Sequence, residues 1–222
     1  MRPRSQRIGV LGGTFDPIHL GHLRTAEEMA FKMDLDRVLV IPAGLPPHKT
    51  HEPLSPYPHR LEMARLACEP SPVLEVSDLE GKRGGPSYSI ETLKELKGKF
   101  GPMVELFFIL GTDAFEEIDT WKDYEGLFSL SNFVVVQRPG FGLHTVETIL
   151  TRLGIEYREA KERMFALTSG KAVFLREATF MDISSTSIRA LVKKGLSIRF
   201  LVPDAVLNYI EQTRLYREQE ST

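Results

Sequence analysis

Two histidines three residues apart, with a glycine between them and a glycine pair just upstream, stand in LGGTFDPIHLGHL, residues 11–23. Gly12 and Gly13 remove side chains where a ligand could approach the backbone, and their N–H groups can donate to phosphate. If a helix begins beside His19 and His22, the two imidazoles share one face at its start. Gly21 keeps that face open, and the positive end of the helix favours anions. The chemistry these residues suit is the handling of phosphate, with both imidazoles in an open crevice. GxGxxG is missing and no GK[ST] follows, so this is neither a dinucleotide fingerprint nor a P-loop. A metal pair more often uses i, i+4 spacing with a carboxylate close by, and no convincing third ligand accompanies these two. Two plain surface histidines remain the bland alternative.

A second cluster lies near the other end, in DISSTSIRALVKKG, residues 182–195. Ser184, Ser185 and Thr186 open a helical pattern, and Arg189 falls one turn inside it. Hydroxyl residues commonly cap helices, whereas a group of them with an arginine on the same face makes an anion cradle. Taken alone, the segment fits either role equally well.

Elements distant in sequence must bring these strings together. Continuous apolar runs of strand length occur at RIGVLGG, RVLVIPA, VLEVSDL, VELFFILG, NFVVVQRP and KAVFLRE. Between them, apolar residues recur at helical spacing in residues 21–33, HRLEMARLACE, SYSIETLKELKGKF, DAFEEIDTWKDYEGLF and VETILTRLG. SSTSIRALVKKG and PDAVLNYIEQTRLY read as two final helices, the second with proline at its first helical position. Apolar strands alternating with helices predict an α/β fold, a parallel sheet covered on both faces. One domain over residues 1–222 is expected, a core to residue 183 followed by a small helical part from 184. GGTFDP, PAGLPPHK, GTDA and RPG each follow a predicted strand. In open parallel sheets, ligands bind beyond such strand ends, so the four loops should face one crevice. The proline-rich stretch GLPPHKTHEPLSPYP is long enough to be a functional loop.

The 222 residues are 42% hydrophobic and 26% charged, an ordinary globular composition. A formal net charge of −2 argues against a general nucleic-acid binder and leaves room for a small anionic substrate. Cys68 is the single cysteine, which excludes a disulfide framework or thiolate metal site. Its helical context predicts a buried, inert thiol. The basic start MRPRSQR is followed by too short an apolar stretch for a signal sequence or membrane span. A cytoplasmic protein with no membrane or nucleic-acid partner is expected, its oligomeric state left open.

GGTFDPIHLGH closely resembles the nucleotidyltransferase signature, and ISSTSIR resembles its partner motif. Together with PAGLPPHK, HRLEM, GPSYSIETL, GTDA with a following Trp, and RPG, they look like the bacterial nicotinate mononucleotide adenylyltransferase family. The resemblance covers roughly residues 8–210. It implies a Rossmann-like, doubly wound fold. The implied reaction joins nicotinate mononucleotide to the AMP part of ATP, giving nicotinate adenine dinucleotide and pyrophosphate, a step toward NAD. By position, it implies that His19 and His22 are catalytic, contacting the ATP phosphates. Gly12, Gly13, Thr14 and Phe15 would hold the reacting phosphates, and Ser184, Ser185, Thr186 and Arg189 would grip the leaving portion. Gly111 and Asp113 would line the nucleotide crevice, while Thr14, Asp113, Ser89, Trp121, Lys122 and Arg138 would face the mononucleotide.

The mononucleotide phosphate is already a nucleophile, so the implied catalyst needs no base or covalent intermediate. Lys49 would add positive charge from the proline-rich loop, expected to close over the triphosphate. Mg²⁺ would arrive on the ATP phosphates, with no protein metal site. Asp16, before Pro17, is expected to shape a turn, and His48, His51 and His59 receive no role. Two positions depart from the family pattern: Ser89 stands where Thr is usual, and Lys122 where Tyr often follows the Trp. The nearest rivals are a pantetheine-phosphate adenylyltransferase, which tends to be shorter and lacks the GPSYS–Trp combination, and a cytidylyltransferase. A tRNA synthetase relative would need an anticodon-binding extension or basic stripe. A non-catalytic nucleotide sensor would have no reason to retain both histidines and Arg189.

Overall fold

The computed structural model describes residues 5–47, 54–137, 142–161 and 163–217. The chain opens with β1 (Gln6–Gly13), α1 (Leu20–Lys32), β2 (Arg37–Pro42), α2 (Tyr57–Cys68) and β3 (Leu74–Val76). A short α3 (Leu79–Arg83) precedes α4 (Ser89–Phe100) and β4 (Val104–Gly111). Then come α5 (Thr112–Glu116), α6 (Tyr124–Leu130), β5 (Asn132–Gln137) and α7 (Leu143–Arg152). The remaining elements are β6 (Tyr157–Lys161), β7 (Met164–Leu167), β8 (Ala172–Glu177), α8 (Ser185–Lys193) and α9 (Asp204–Thr213).

Among the described residues the strands form one sheet in the order β3-β2-β1-β4-β5-β8-β7-β6. From β3 to β8 every neighbouring pair is parallel. The chain runs outward from β1 through β2 to β3, then returns to place β4 on β1's other side. That reversal is the switch point of a doubly wound sheet, a crevice beyond the carboxyl ends of β1 and β4.

Alternate side chains of the central strands enter two cores. Ile8, Val10, Leu39 and Ile41 join α4 to α7 on one face. Leu11, Val38 and Val40 join α1 and α2 on the other, where Ile188 of α8 and Val206 of α9 complete the packing. Both strand faces are therefore apolar, which is why these strands read as unbroken runs. Gly9 is closely hemmed in within the sheet: a Cβ there would come within 2.8 Å of Val38 Cγ2 and 2.9 Å of Leu35 Cδ1. Gly9→Ala should destabilise the protein by about 1–3 kcal/mol through overpacking. Thermal unfolding checks it, at roughly 2–4 °C per kcal/mol for a chain of this size.

Four expectations need correction. The sheet is not wholly parallel: β6 and β7 form an antiparallel hairpin, and β7 pairs antiparallel with β8. The polar YREAK of β6 has no buried-strand pattern, because it is the sheet's edge. Residues 113–128 are not one helix but α5, a single 3-10 turn at Ile118–Thr120, and α6, with Asp123 at φ 52° before the last. VLEVSDL is a strand only at Leu74–Val76, and α3 begins at Leu79. Pro203 sits one residue before the first helical position of α9.

Candidate active site

The first loop is built to leave space above it. Gly12, at the end of β1, is exposed, and a Cβ there would meet nothing within 4 Å. At Gly13 the constraint is the reverse, since a Cβ would lie 2.9 Å from the Phe15 ring. Phe15 takes a left-handed φ of 50° and buries its ring beneath the loop, with 2% exposure. This unusual backbone for an aromatic residue turns the chain toward α1.

His19 caps the N-terminus of α1, and His22 lies one turn into it. Their rings stack at 3.6 Å between centroids, and Phe15 meets His22 edge-on at 5.0 Å. A Cβ on Gly21 would sit 3.1 Å from His19 Nδ1, so the glycine makes room for the imidazole. His22 Nδ1 accepts from the backbone N–H of His19 at 3.3 Å, which leaves the neutral ring's proton on Nε2. His19 corrects the expectation of two imidazoles in an open crevice: it is only 6% exposed, while His22 is half-buried. Its Nδ1 is buried against the first turn of α1, in capping-box geometry with the His22 backbone N–H.

Burial lowers the His19 pKa to about 4, so the ring is neutral near pH 7. In the unfolded chain the same ring titrates near 6.5. Between those values the unfolded state binds more protons, so stability is full above about pH 6.5 and falls on acidification toward 4. The loss should approach about 3 kcal/mol, and His19→Asn should remove it. Urea unfolding of both proteins at several pH values measures the difference.

The second motif packs directly against the first. Ser184 caps α8 by accepting from Ser187 N at 3.1 Å, so one of the hydroxyls does perform ordinary capping. Ser185 Oγ donates to the Pro17 carbonyl at 2.8 Å, and Arg189 Nη1 donates to the Asp16 carbonyl at 2.9 Å. Arg189 Nη2 also donates to Thr186 Oγ1. Histidine helix and hydroxyl–arginine helix thus share the Asp16–Pro17 backbone. Glu28 strengthens the join farther along α1. Burial alone would raise its pKa, but hydrogen bonds from Thr179, Lys32 and Arg24 take it down to about 2.

Gly111 ends β4 beside β1, also with nothing within 4 Å of a would-be Cβ, and Asp113 follows on the exposed side of α5. Thr14 lies in the loop between Gly13 and Phe15, half-buried. Ser89 begins α4. Leu45, in the loop after β2, forms an isolated parallel bridge with Pro86 and exchanges hydrogen bonds with Ser87, two residues before Ser89. Trp121 is half-buried, edge-on to Phe108 at 6.0 Å. Lys122 holds its ammonium 4.4 Å from the Tyr88 ring centroid and 2.5 Å from Glu91 Oε1, so it lies against the start of α4. Lys49, Arg138, His48 and His51 fall outside the described residues. His59 Nδ1 pairs with Tyr209 Oη at 2.9 Å, joining α2 to α9. Cys68 is buried and its thiol pushed up to about 12 by that burial, in keeping with inertness.

Among the described residues no group of three or more His, Cys, Asp or Glu is placed to hold a metal ion. A cavity of about 650 Å³ opens between α7, β6 and β7, lined by residues such as Tyr157 and Leu167. It contains no member of either motif, so chemistry and topology locate the site better than volume does.

The cytidylyltransferase-like family profile matches residues 10–191. A probable nicotinate-nucleotide adenylyltransferase of Citrifermentans bemidjiense is 48% identical over 213 residues, covering 95% of this chain and 98% of the relative. A counterpart with the same name from Geobacter sp. strain M21 is 49% identical with the same coverage. The chain belongs to the nicotinate-nucleotide adenylyltransferase family. A solved structure of Plasmodium falciparum nicotinic acid mononucleotide adenylyltransferase complexed with NaAD covers 95% of this chain and 97% of its own. At 20% identity and a TM-score of 0.72, that likeness speaks to the fold, a Rossmann-like nucleotidyltransferase sheet. No helix among the described residues is long and apolar enough to cross a membrane.

Two buried charged residues beside this loop carried no catalytic or binding role in the sequence. Asp16, expected to shape a turn, is buried and accepts from Ser55 N at 3.0 Å and Tyr216 Oη at 2.6 Å. Arg60, inside HRLEM, is 2% exposed. A signal for it was present, since Arg60 falls on the same helical stripe as Met63, Ala64 and Ala67. A charge on an apolar face is seldom buried without partners.

Proposed function

We infer that this chain is a nicotinate-nucleotide adenylyltransferase, joining nicotinate mononucleotide to the AMP part of ATP with release of pyrophosphate, in NAD biosynthesis. The observation that carries the reading is the His19–His22 stack and the Ser185–Arg189 helix meeting on Asp16–Pro17, at the switch point of the sheet. The names and full-length coverage of the relatives support it.

A phosphate oxygen of the mononucleotide attacks the α-phosphorus of ATP, and the bond from that phosphorus to the bridging β oxygen breaks. No proton has to leave the nucleophile. The protein's work is alignment and neutralisation of the charge that builds on pyrophosphate. His22 Nε2–H, the amides of Gly12 and Gly13, the α1 N-terminus and Arg189 serve the triphosphate; Lys49 adds charge from residues beyond those described. Ser184, Ser185 and Thr186 complete that cradle, while Thr14, Gly111 and Asp113 line the nucleotide crevice. Ser89, Trp121, Lys122 and Arg138 take the pyridine mononucleotide. Without a carboxylate cage among the described residues, a divalent ion such as Mg²⁺ enters on the ATP phosphates as part of the substrate. Use of ATP is in keeping with a cytoplasmic enzyme, the location expected from the sequence.

Incubation with ATP, Mg²⁺ and a panel of mononucleotides tests the assignment. Nicotinate mononucleotide should give one pyrophosphate per dinucleotide. Adenylyl transfer to 4′-phosphopantetheine, added as a further acceptor, in place of nicotinate mononucleotide, or no pyrophosphate from any acceptor, would overturn it.

A further inference from the structure

We propose that Arg60 is a positioning residue that sets the ATP loop and the mononucleotide side of the cleft at a fixed distance, through its hydrogen bonds to backbone carbonyls. Its Nη1 donates to the carbonyls of Thr14 at 2.8 Å and Ala43 at 2.7 Å. Nη2 donates to Gly44 O at 3.1 Å, and Nε donates to Ser55 O at 3.0 Å. These acceptors belong to the loop after β1, the loop after β2 and the approach to α2, none adjacent in sequence to another except Ala43 and Gly44.

Each acceptor leads somewhere in the site. Thr14 follows the glycine pair. Ala43 N also donates to Gly13 O at 2.8 Å, so the two loops are tied twice. The second loop then continues to Leu45, whose bridge to Pro86 and bonds to Ser87 lead into Ser89 and α4. Ser55, finally, donates its N–H to Asp16, whose carbonyl holds Arg189. One guanidinium therefore joins segments that carry ATP contacts, mononucleotide contacts and the C-terminal anion cradle.

Chemistry explains why an arginine is needed. Its planar fork offers five donors in fixed directions, so it can hold several carbonyls at once. Lysine offers three donors from one point and cannot span the same arc. No ion pair to Arg60 occurs among the described residues within 4 Å, and Asp16 reaches it through Ser55. The buried cation thus also keeps a positive charge behind the loop expected to receive phosphates.

If Arg60 aligns two half-sites, its loss should harm the approach of nucleophile to phosphorus more than the binding of either substrate. A misplacement of about 1 Å can cost around a hundredfold in rate. The test rests on the reaction proposed above, and dinucleotide synthesis by the unmodified protein is its control; failure of that control strikes the function and not this inference. Arg60→Lys should lower kcat about 10- to 100-fold while the KM for ATP and for nicotinate mononucleotide each change less than about threefold. Circular dichroism and thermal unfolding report whether the variant is folded. A folded Arg60→Lys with kcat within threefold of the unmodified enzyme would overturn the proposal, as would raised KM values at unchanged kcat. Should the lysine variant fail to fold, Arg60→Ala supplemented with millimolar guanidinium decides. Recovery of kcat with guanidinium, and not with sodium chloride of equal ionic strength, supports the positioning role; no recovery overturns it.

Discussion

Replacing His22 by Ala should lower turnover by about two to four orders of magnitude while leaving the protein folded. The range corresponds to roughly 3–5 kcal/mol of transition-state stabilisation. His22 is the better placed of the pair for a clean result. It is half-buried, rests on Phe15 and His19, and its Nδ1 is occupied by the His19 amide, which commits Nε2–H to donate. Charge develops on the leaving pyrophosphate only as the bond breaks, so a donor fixed beforehand acts mainly on kcat. His19→Ala should show a loss of the same order, but there the buried ring also fills space at the head of α1. His19→Asn, closer in shape, separates the two contributions. A His22→Ala enzyme with near-normal turnover would sink the catalytic assignment. One that failed to fold would return the pair to a structural role.

The histidine site was legible because its logic is local. Two glycines, a turn and a helix start lie within a dozen residues, and spacing alone places both rings on one face. The hydroxyl–arginine motif was half legible: capping by Ser184 follows from the sequence, but Ser185 and Arg189 bind Pro17 and Asp16, more than 160 residues away. Arg60 was visible as a charge on an apolar helical stripe, but its partners were hidden for the same reason. Backbone carbonyls carry no side-chain identity, so no residue type advertises them as partners. Likewise the Tyr216–Asp16 bond links residues separated by 200 positions. The central strands could be read because burial on both faces leaves unbroken apolar runs. The edge hairpin could not, since an edge strand has a solvent side and a polar sequence. The break around Trp121 was concealed by apolar residues that keep helical spacing although Asp123 takes a left-handed backbone.

Nicotinate mononucleotide should be used far better than nicotinamide mononucleotide, by as much as roughly four orders of magnitude in kcat/KM. A carboxylate only accepts hydrogen bonds, whereas an amide replaces one oxygen with two N–H donors. The residues assigned to this end of the pocket are donors. Ser89 begins the 12-residue helix α4, whose first-turn N–H groups and positive end favour an anion. Lys122 lies against the same turn, over Tyr88. An amide NH₂ set among these groups would meet other donors and leave them unpaired. Ser89→Ala should therefore weaken use of the acid more than use of the amide. Glu91 acts in the opposite sense: its carboxylate pairs with Lys122 and offsets the ammonium charge near the pocket. Glu91→Gln should leave that charge unbalanced and widen the preference for the acid, an effect that diminishes as salt is raised, because the pair is exposed. Steady-state kinetics with both mononucleotides on the three proteins provide the comparison. Equal use of acid and amide by the unmodified enzyme would overturn the donor-lined pocket while leaving adenylyl transfer in place. A Glu91→Gln enzyme with reduced preference would place the Lys122 charge outside the ligand's reach.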